Sequence, residues 1–381
     1  MLVMIVLVGM GERMAERFLP IYLLALGGGI FLPGLLNGLD NLLSALYSFP
    51  GGFLADRLGT KKALLVFNLM AMFGFSIVVL IPFWPAVFVG SFFFLSWTAI
   101  SLPATMKLVA NALPTNKRTM GVTMHSLVRR VPMALGPVLG GIFIAAYGVT
   151  TGVRLAFLAA LAIAAVATVI QQILIEDDRK NGLVPGMAHA SPLTVFKMMS
   201  ASLRRLLIAD ILIRFCEQIP YAYVVVWAMR EIDSPVTAPQ FGLLSAIEMA
   251  TAMLIYVPIA YLADRTRKKP FVLITFGFFT AFPLVLLHST SFWPLVGAFV
   301  LRGLKEFGEP TRKALIMDLA PEDKKAAVFG LYYLIRDVIV SVAAIGGAYL
   351  WGINPAVNLY AAFAFGCAGT IWFAIAGRDE G

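Results

Sequence analysis

The sequence predicts an all-α membrane protein with twelve transmembrane helices in two repeat-related six-helix bundles. The first observation is composition: of 381 residues, 60% are hydrophobic and only 13% are charged, against about 25% charged in a soluble domain. The second is a series of twelve apolar runs, and the third is an internal repeat. Because a chain with mean hydropathy +0.86 has too much apolar surface for water, we place it in a bilayer.

A helix that crosses a bilayer needs about 20 mostly apolar residues. Turn-forming residues at 27–29, 81–85, 234–235 and 354–355 separate several of the apolar runs. The predicted spans are residues 2–27, 32–56, 62–82, 84–109, 121–147, 153–175, 204–230, 240–263, 269–288, 291–316, 326–350 and 354–376.

Three blocks of sequence recur in the same order in both halves of the chain, at nearly constant offsets. Such large repeats of hydrophobic segments are typical of secondary transporters. They predict an N-terminal bundle (1–175), a cytoplasmic linker (176–203) and a C-terminal bundle (204–381). The matched blocks are Arg13–Glu16 with Arg214–Glu217; Asp40, Pro50 and Leu54–Arg57 with Glu248, Pro258 and Leu262–Arg265; and Pro103, Pro114, Arg129 and Gly140 with Pro310, Pro321, Arg336 and Gly347.

The basic residues predict the orientation of the chain. Loops on one side carry nineteen Lys and Arg, with Arg312 and Lys313 among them, whereas the other side carries only Arg154 and Arg230. Cytoplasmic loops hold such an excess, so we expect a multi-pass protein with both termini in the cytoplasm. Short loops and two cysteines that lie inside apolar runs fit a bacterial inner membrane. The net charge of +9 then reflects topology, and no nucleic-acid partner is expected.

Eighteen charged residues lie within the predicted spans, nine of each sign. Each would cost about 2.5–3.5 kcal/mol or more if it faced lipid. We therefore expect them to surround a shared polar interior and to pair extensively. They are Arg13, Arg17, Lys107, Arg129, Arg130, Arg214, Arg302, Lys305 and Arg336, with Glu12, Glu16, Asp40, Asp210, Glu217, Glu248, Glu306, Glu309 and Asp337.

The segment GFLADRLGTKK at 52–62, between the second and third spans, resembles the loop signature of the major facilitator superfamily. A second copy, AYLADRTRKK at 260–269, lies between the eighth and ninth spans, as in that family. The resemblance implies alternating access around a central cavity and a cytoplasmic gate in which Asp56 faces the start of the eleventh helix near Ala326. The gate residues so implied are Gly52, Asp56, Arg57 and Gly59, with a weaker counterpart at Asp264 and Arg265, whose copy has lost both glycines.

The segment GPVLGG at 136–141, in the fifth span, resembles the antiporter signature of the same family. It adds Gly136, Pro137, Gly140 and Gly141 to the expected gating residues and favours antiport. Small residues also let helices pack closely without any functional meaning. The family's usual Arg in the fourth helix is missing, since Leu95 lies opposite Arg302 in the repeat.

In the family that the sequence resembles, the first, fourth, seventh and tenth helices line the substrate cavity. The pairs Arg13/Glu16 and Arg214/Glu217 each lie on one helical face near mid-span. One hypothesis is that both Arg bind an anionic group while Glu16 or Glu217 takes up a proton; the other is that these are internal salt bridges. The tenth span adds Arg302 and Glu306 to the expected substrate site, with Arg302/Glu306 and Lys305/Glu309 both spaced to pair along the helix.

Two further acids, Asp40 and Glu248, match in the repeat and have no basic residue within one turn of their own helices. We interpret them as protonation sites or outer-gate contacts. The alternative is a partner on another helix, and the repeat-related Arg129 and Arg336 would complete two matched gate pairs.

We expect a secondary active transporter of a small solute, with proton-coupled efflux by antiport as the first interpretation. Uptake of a polar or anionic metabolite by proton symport is the alternative, and a receptor or scaffold that no longer transports is the third. The chain has no GxxxxGK[ST], GxSxG or HExxH motif, so neither enzymatic activity nor a cofactor is expected, and a proton gradient is the expected energy source. The expected partners are a small solute and the lipid bilayer, with no metal, and the protein is expected to be monomeric.

Overall fold

The computed structural model describes residues 2–95, 97, 100–101, 128–175, 196, 199–263, 268–321 and 325–377. In the first half, α1 to α6 are Leu2–Glu16, Leu19–Ala25, Leu32–Leu58, Thr60–Leu80, Trp84–Phe94 and Arg130–Leu174. In the second half, α7 to α13 are Ala201–Tyr221, Ala238–Ala263, Lys268–Leu287, Phe292–Leu304, Glu309–Asp318, Lys325–Ile353 and Pro355–Ala376.

Among the described residues, three glycines with positive φ mark sharp turns of the chain: Gly27 (80°), Gly59 (82°) and Gly148 (76°). Glycine adopts this backbone conformation without the steric cost that a side chain would add. Gly59 joins α3 directly to α4, and Gly148 interrupts α6 at the predicted boundary between the fifth and sixth spans. The predicted breaks at 27–29 and after 147 are therefore confirmed.

Within the described residues, four spans that were predicted to be continuous are broken. The helix of the fourth ends at Phe94, and Leu95 has extended backbone. The first divides at Arg17–Phe18, and the seventh continues after α7 as a short turn, Val224–Val226, and a π-helical turn, Trp227–Glu231. The tenth divides between Leu304 and Glu309. Pro220 lies in the last turn of α7, where it removes a backbone donor. The apolar pattern did not reveal the break at Arg17–Phe18 because apolar residues lie on both sides of it, whereas the tenth span becomes polar after Leu304.

Six described helices are long and apolar enough to cross a membrane, or seven if α7 and the segment bent 41° from it form one span. Large apolar side chains cover the outside; Leu80, Leu254, Trp293 and Ile375 are each more than 70% exposed to solvent. This surface fits hydrocarbon rather than water. The expected count of twelve spans is thus partly visible in the described residues.

The chain forms two compact units. Unit 1 comprises 1–32, 42–187 and 237–246; unit 2 comprises 33–41, 188–236 and 247–381. In unit 1, α1 packs along α6, and α4 packs against α5 and α6. In unit 2, α7 packs against α12 and α13. The predicted bundle and linker boundaries stay a prediction.

Candidate functional site

A group of charged side chains lies inside unit 2, where α7, α8 and the end of α10 meet. Arg214 Nη1 lies 2.5 Å from Glu217 Oε2, and Lys305 Nζ lies 2.7 Å from Glu217 Oε1. Lys305 also lies 3.6 Å from Glu248, whose carboxylate is 3.3 Å from Arg302 Nε. One carboxylate is therefore held by two cations, and one cation is shared by two carboxylates.

The break in the tenth span determines which partners Lys305 reaches. Since α10 ends at Leu304, Lys305 does not continue the helical face that leads to Glu309. The predicted pair Lys305/Glu309 is therefore wrong, because Lys305 pairs across to α7 and α8. Arg302 pairs with Glu248, and the predicted pair Arg302/Glu306 stays a prediction.

Aromatic rings surround the cations of this group. The Arg302 guanidinium lies 5.2–5.8 Å from the ring centroids of Tyr221, Phe282 and Phe299, and its side chain is 4% exposed. Arg214 and Lys305 both face Phe279, at 5.6 and 5.8 Å. Cations within about 6 Å of a ring are attracted to its face. Arg302 is thus enclosed, whereas Arg214 retains 20% exposure.

A second cluster adjoins the first through Glu309. Arg214 Nη2 lies 3.8 Å from Glu309, which forms a two-point contact with Arg312 at 2.7–3.1 Å. Arg312 also donates to Asp210, a buried carboxylate that accepts from the Tyr332 hydroxyl at 3.1 Å. Arg312 was predicted to lie in a cytoplasmic loop; its side chain is 2% exposed, so that assignment was wrong.

Arg336 completes the second cluster, at 3.4 Å from Asp210 and 2.7 Å from Asp337. The predicted gate pair between Glu248 and Arg336 is therefore wrong, because each of these residues pairs with other groups. Asp40 is half-buried in α3. Arg129 lies at the start of α6, in electrostatic contact with Glu12 and Arg13.

Unit 1 contains the repeat partner of the Arg214/Glu217 pair. Arg13 Nη1 lies 2.8 Å from Glu16, and Arg13 Nη2 lies 3.8 Å from Glu12. The spacing of three residues thus produces a contact in both units, as predicted from the repeat.

The glycines of the 136–141 segment lie at close helix contacts. A Cβ on Gly136 would lie 2.7 Å from Arg13 Cβ, and one on Gly140 would overlap the Met14 carbonyl. A Cβ on Gly141 would meet the Ala238 carbonyl at 2.5 Å. Close packing alone accounts for these three glycines.

The loop signature is only partly visible. Gly59 makes the turn into α4, and Arg57 is exposed. Residues 264–267, which include Asp264 and Arg265, lie outside the described residues, as do the side chains of Asp56 and Ala326. The expected Asp56 contact stays a prediction.

Sequence reasoning did not select Asp210, Lys305, Glu309 and Arg312 as site residues. The repeat itself carries a signal for them, because it aligns Asp210 with Gly9, Glu309 with Leu102 and Arg312 with Thr105. A position that is charged in the second half and uncharged in the first half shows where the two halves have diverged. Among the described residues, no three His, Cys, Asp or Glu are placed to hold a metal.

The family model of the Major Facilitator Superfamily matches residues 1–344 and 221–380. The chain therefore belongs to this superfamily, whose members are secondary transporters, and it is a transporter rather than an enzyme. No curated protein matches the sequence.

Solved structures share the fold. A POT family transporter in complex with 5-aminolevulinic acid aligns with TM-score 0.77 and 14% identity over 98% of this chain and 94% of that one. A peptide transporter POT in complex with sulfate aligns with TM-score 0.76 and 15% identity over 98% and 93%. A bacterial homolog of the human lysosomal transporter Spinster aligns with TM-score 0.67 and 15% identity, also over 98% and 93%.

Proposed function

We propose that this transporter moves a small carboxylate- or phosphate-bearing solute together with a proton. In this proposal Arg214 and Lys305 bind the anionic group, and Glu217 carries the proton. Arg302 and Glu248 position Lys305, and the matching Arg13/Glu16 pair of unit 1 provides a second anion and proton group. Asp40 is retained as a protonation site. The residues of the 52–59, 264–265 and 136–141 segments, with Arg129 and Arg336, are retained as gating residues.

The observation that carries the proposal is the charge balance of the joined ion pairs. Within the residues that the structure describes, five carboxylates and five buried or half-buried cations are joined by the ion pairs above, and Lys313 adds a sixth cation from a half-exposed position. Binding of a proton alone would add a positive charge to this poorly hydrated group, and binding of an anion alone would add a negative charge; both changes are costly. A proton and a monoanion bound together leave the net charge of the group unchanged. The ten are Asp210, Glu217, Glu248, Glu309 and Asp337, with Arg214, Arg302, Lys305, Arg312 and Arg336.

The geometry around Glu217 supports the same coupling. Both cations that would attract a solute anion are already bound to Glu217. A solute carboxylate displaces Glu217 more easily when that side chain is protonated, so each ligand favours the other, and the coupling is reciprocal. This linkage favours symport. Antiport by the same residues would require the solute and the proton to compete for one site. A cationic solute would compete with the proton for Glu217 in this way. Proton-coupled efflux by antiport is therefore the second proposed mode.

The ligands of the neighbouring structures guide the choice of solutes. 5-Aminolevulinic acid carries a carboxylate and an amine, and sulfate is an anion. We therefore propose carboxylates and zwitterions as the first compounds to test. We also propose that the protein lies in a bacterial inner membrane with both termini in the cytoplasm. Its proposed parts are an N-terminal bundle (1–175), a cytoplasmic linker (176–203) and a C-terminal bundle (204–381).

The test is solute transport by purified protein in vesicles that contain a pH-sensitive dye. An imposed carboxylate gradient should acidify the lumen as solute enters, and Glu217→Gln should abolish proton movement while solute exchange persists. Glu231→Gln, an exposed acid just beyond α7, is the matched control and should behave as wild type. Proton movement opposite to the solute would reject symport in favour of antiport. No response to any anion or zwitterion would reject the proposed solute class.

A further inference from the structure

Three side-chain amides form a compact group in unit 2, close to the Arg214/Glu217 pair in the chain. Asn37 Nδ2 donates to Gln218 Oε1 at 3.0 Å, and Asn41 Nδ2 donates to the same oxygen at 3.1 Å. Asn41 Nδ2 also donates to the Asn37 carbonyl at 2.9 Å. A single amide oxygen therefore accepts from two residues that lie one turn apart on α3.

Gln218 connects this group to the proposed anion site. It follows Glu217 directly and lies four residues after Arg214, so Gln218 and Arg214 share one face of α7. Asn37 is 7% exposed, whereas Asn41 and Gln218 are half-buried. The amide group thus lies beside the charged one, with its two less buried members available to a small molecule.

The hydrogen-bonding capacity of the group is only partly used. A side-chain amide has two N–H donors and two acceptor lone pairs. In the part of the chain that the structure describes, the contacts of Gln218 use its oxygen and leave Nε2 without a protein acceptor. Those of Asn41 use its nitrogen and leave Oδ1 without a protein donor. Exchanging O and N within an amide would still leave donor and acceptor capacity here.

We propose that Gln218 and Asn41 form a neutral subsite that binds an uncharged polar group of the solute, a hydroxyl or carboxamide, beside the anionic group held by Arg214 and Lys305. Gln218 Nε2 donates to this group and Asn41 Oδ1 accepts from it. This inference rests on the proposed function and specifies its solute class further: hydroxylated or amidated acids bind better than their plain analogues. A purely structural contact between α3 and α7 would give no such preference.

The test compares matched acids by competition for transport: lactate with propanoate, and succinamate with monomethyl succinate, whose ester lacks the N–H donors. Wild-type protein should prefer the first member of each pair by about fivefold, as one net hydrogen bond predicts. Gln218→Met, which keeps length without the amide, should bring the affinity ratio of the two acids in each pair to about one. Asn41→Leu, on the other helix, provides an independent second variant.

Each remaining outcome overturns the subsite. Equal affinity of the wild-type protein for both acids of a pair would overturn the subsite, while the proposed anion site would stand. A variant that weakens both members equally would reduce the amides to a helix contact. If no acid competes at all, the proposed function fails as well, which distinguishes that failure from the failure of the subsite alone.

Discussion

Lys305 lies 2.7 Å from Glu217 because α10 ends at Leu304 and directs the next residue away from its own helix. The ammonium group then contacts carboxylates on α7 and α8 at the same time. The break in the tenth span therefore lies at the centre of the charged group. Lys305 is the cation that Glu217 and Glu248 share.

Removing this shared cation should disable the proposed site. Lys305→Met leaves Glu217 with Arg214 alone and Glu248 with Arg302, and a buried carboxylate that loses a charged partner costs about 1–3 kcal/mol or more. We expect solute affinity to fall at least about tenfold, measured as KM for uptake into vesicles. Lys313→Met is the control, since Lys313 is 48% exposed. Equal effects of the two variants would contradict the shared-cation reading.

Asp210 should matter for stability more than any exposed acid. Its replacement by Asn leaves Arg312 and Arg336 with weaker partners in a buried setting, and breaking such a pair costs about 3–5 kcal/mol. Asp318→Asn removes the Lys268 pair, whose carboxylate is 44% exposed, and should cost about 0–1 kcal/mol. Thermal unfolding in detergent measures both. A melting temperature for Asp210→Asn within error of wild type would show that the cluster is dispensable.

The glycine contacts between α1 and α6 give a steric prediction. Gly140→Ala places a methyl group into the Met14 carbonyl, and overpacking of this kind costs about 1–3 kcal/mol. Gly346→Ala, on α12 with nothing within 4 Å of the new Cβ, should raise stability by about 0.5–1 kcal/mol through helix propensity alone. Both variants change helix propensity in the same way, so the difference between their midpoints of thermal unfolding measures the effect of packing. The steric argument does not survive if both variants unfold at the same temperature.

Two arginines of one cluster should respond differently to the same change. Arg214→Lys removes two-point binding of a carboxylate and should raise KM about tenfold with little loss of stability. Arg302→Lys leaves three aromatic rings and Glu248 around a smaller cation, so stability should fall while KM changes little. Uptake kinetics and thermal unfolding on both variants decide this. A large KM effect at Arg302 would assign it to solute contact.

The sequence predicted two ion pairs that lie within a turn of one helix and missed the contacts that depend on helix breaks and packing. Arg13/Glu16 and Arg214/Glu217 follow from a spacing of three residues and were confirmed as pairs. The partners of Lys305 depend on the helix break after Leu304, where the predicted span was continued into the polar segment Glu309–Asp318. Arg312 was placed in a loop because basic residues usually lie there; its partner Asp210 is 102 residues away, on another helix.

The proposed binding of one proton with each monoanion also has an electrical consequence. Moving one elementary charge across a membrane is worth about 2.3 kcal/mol per 100 mV. A carrier that moves a proton and a monoanion across the membrane together transfers no net charge. The proposed transport would therefore be driven by the pH difference and would not depend on the membrane potential. Such a transporter would keep accumulating its solute in a depolarised cell for as long as the outside stayed more acidic than the cytoplasm.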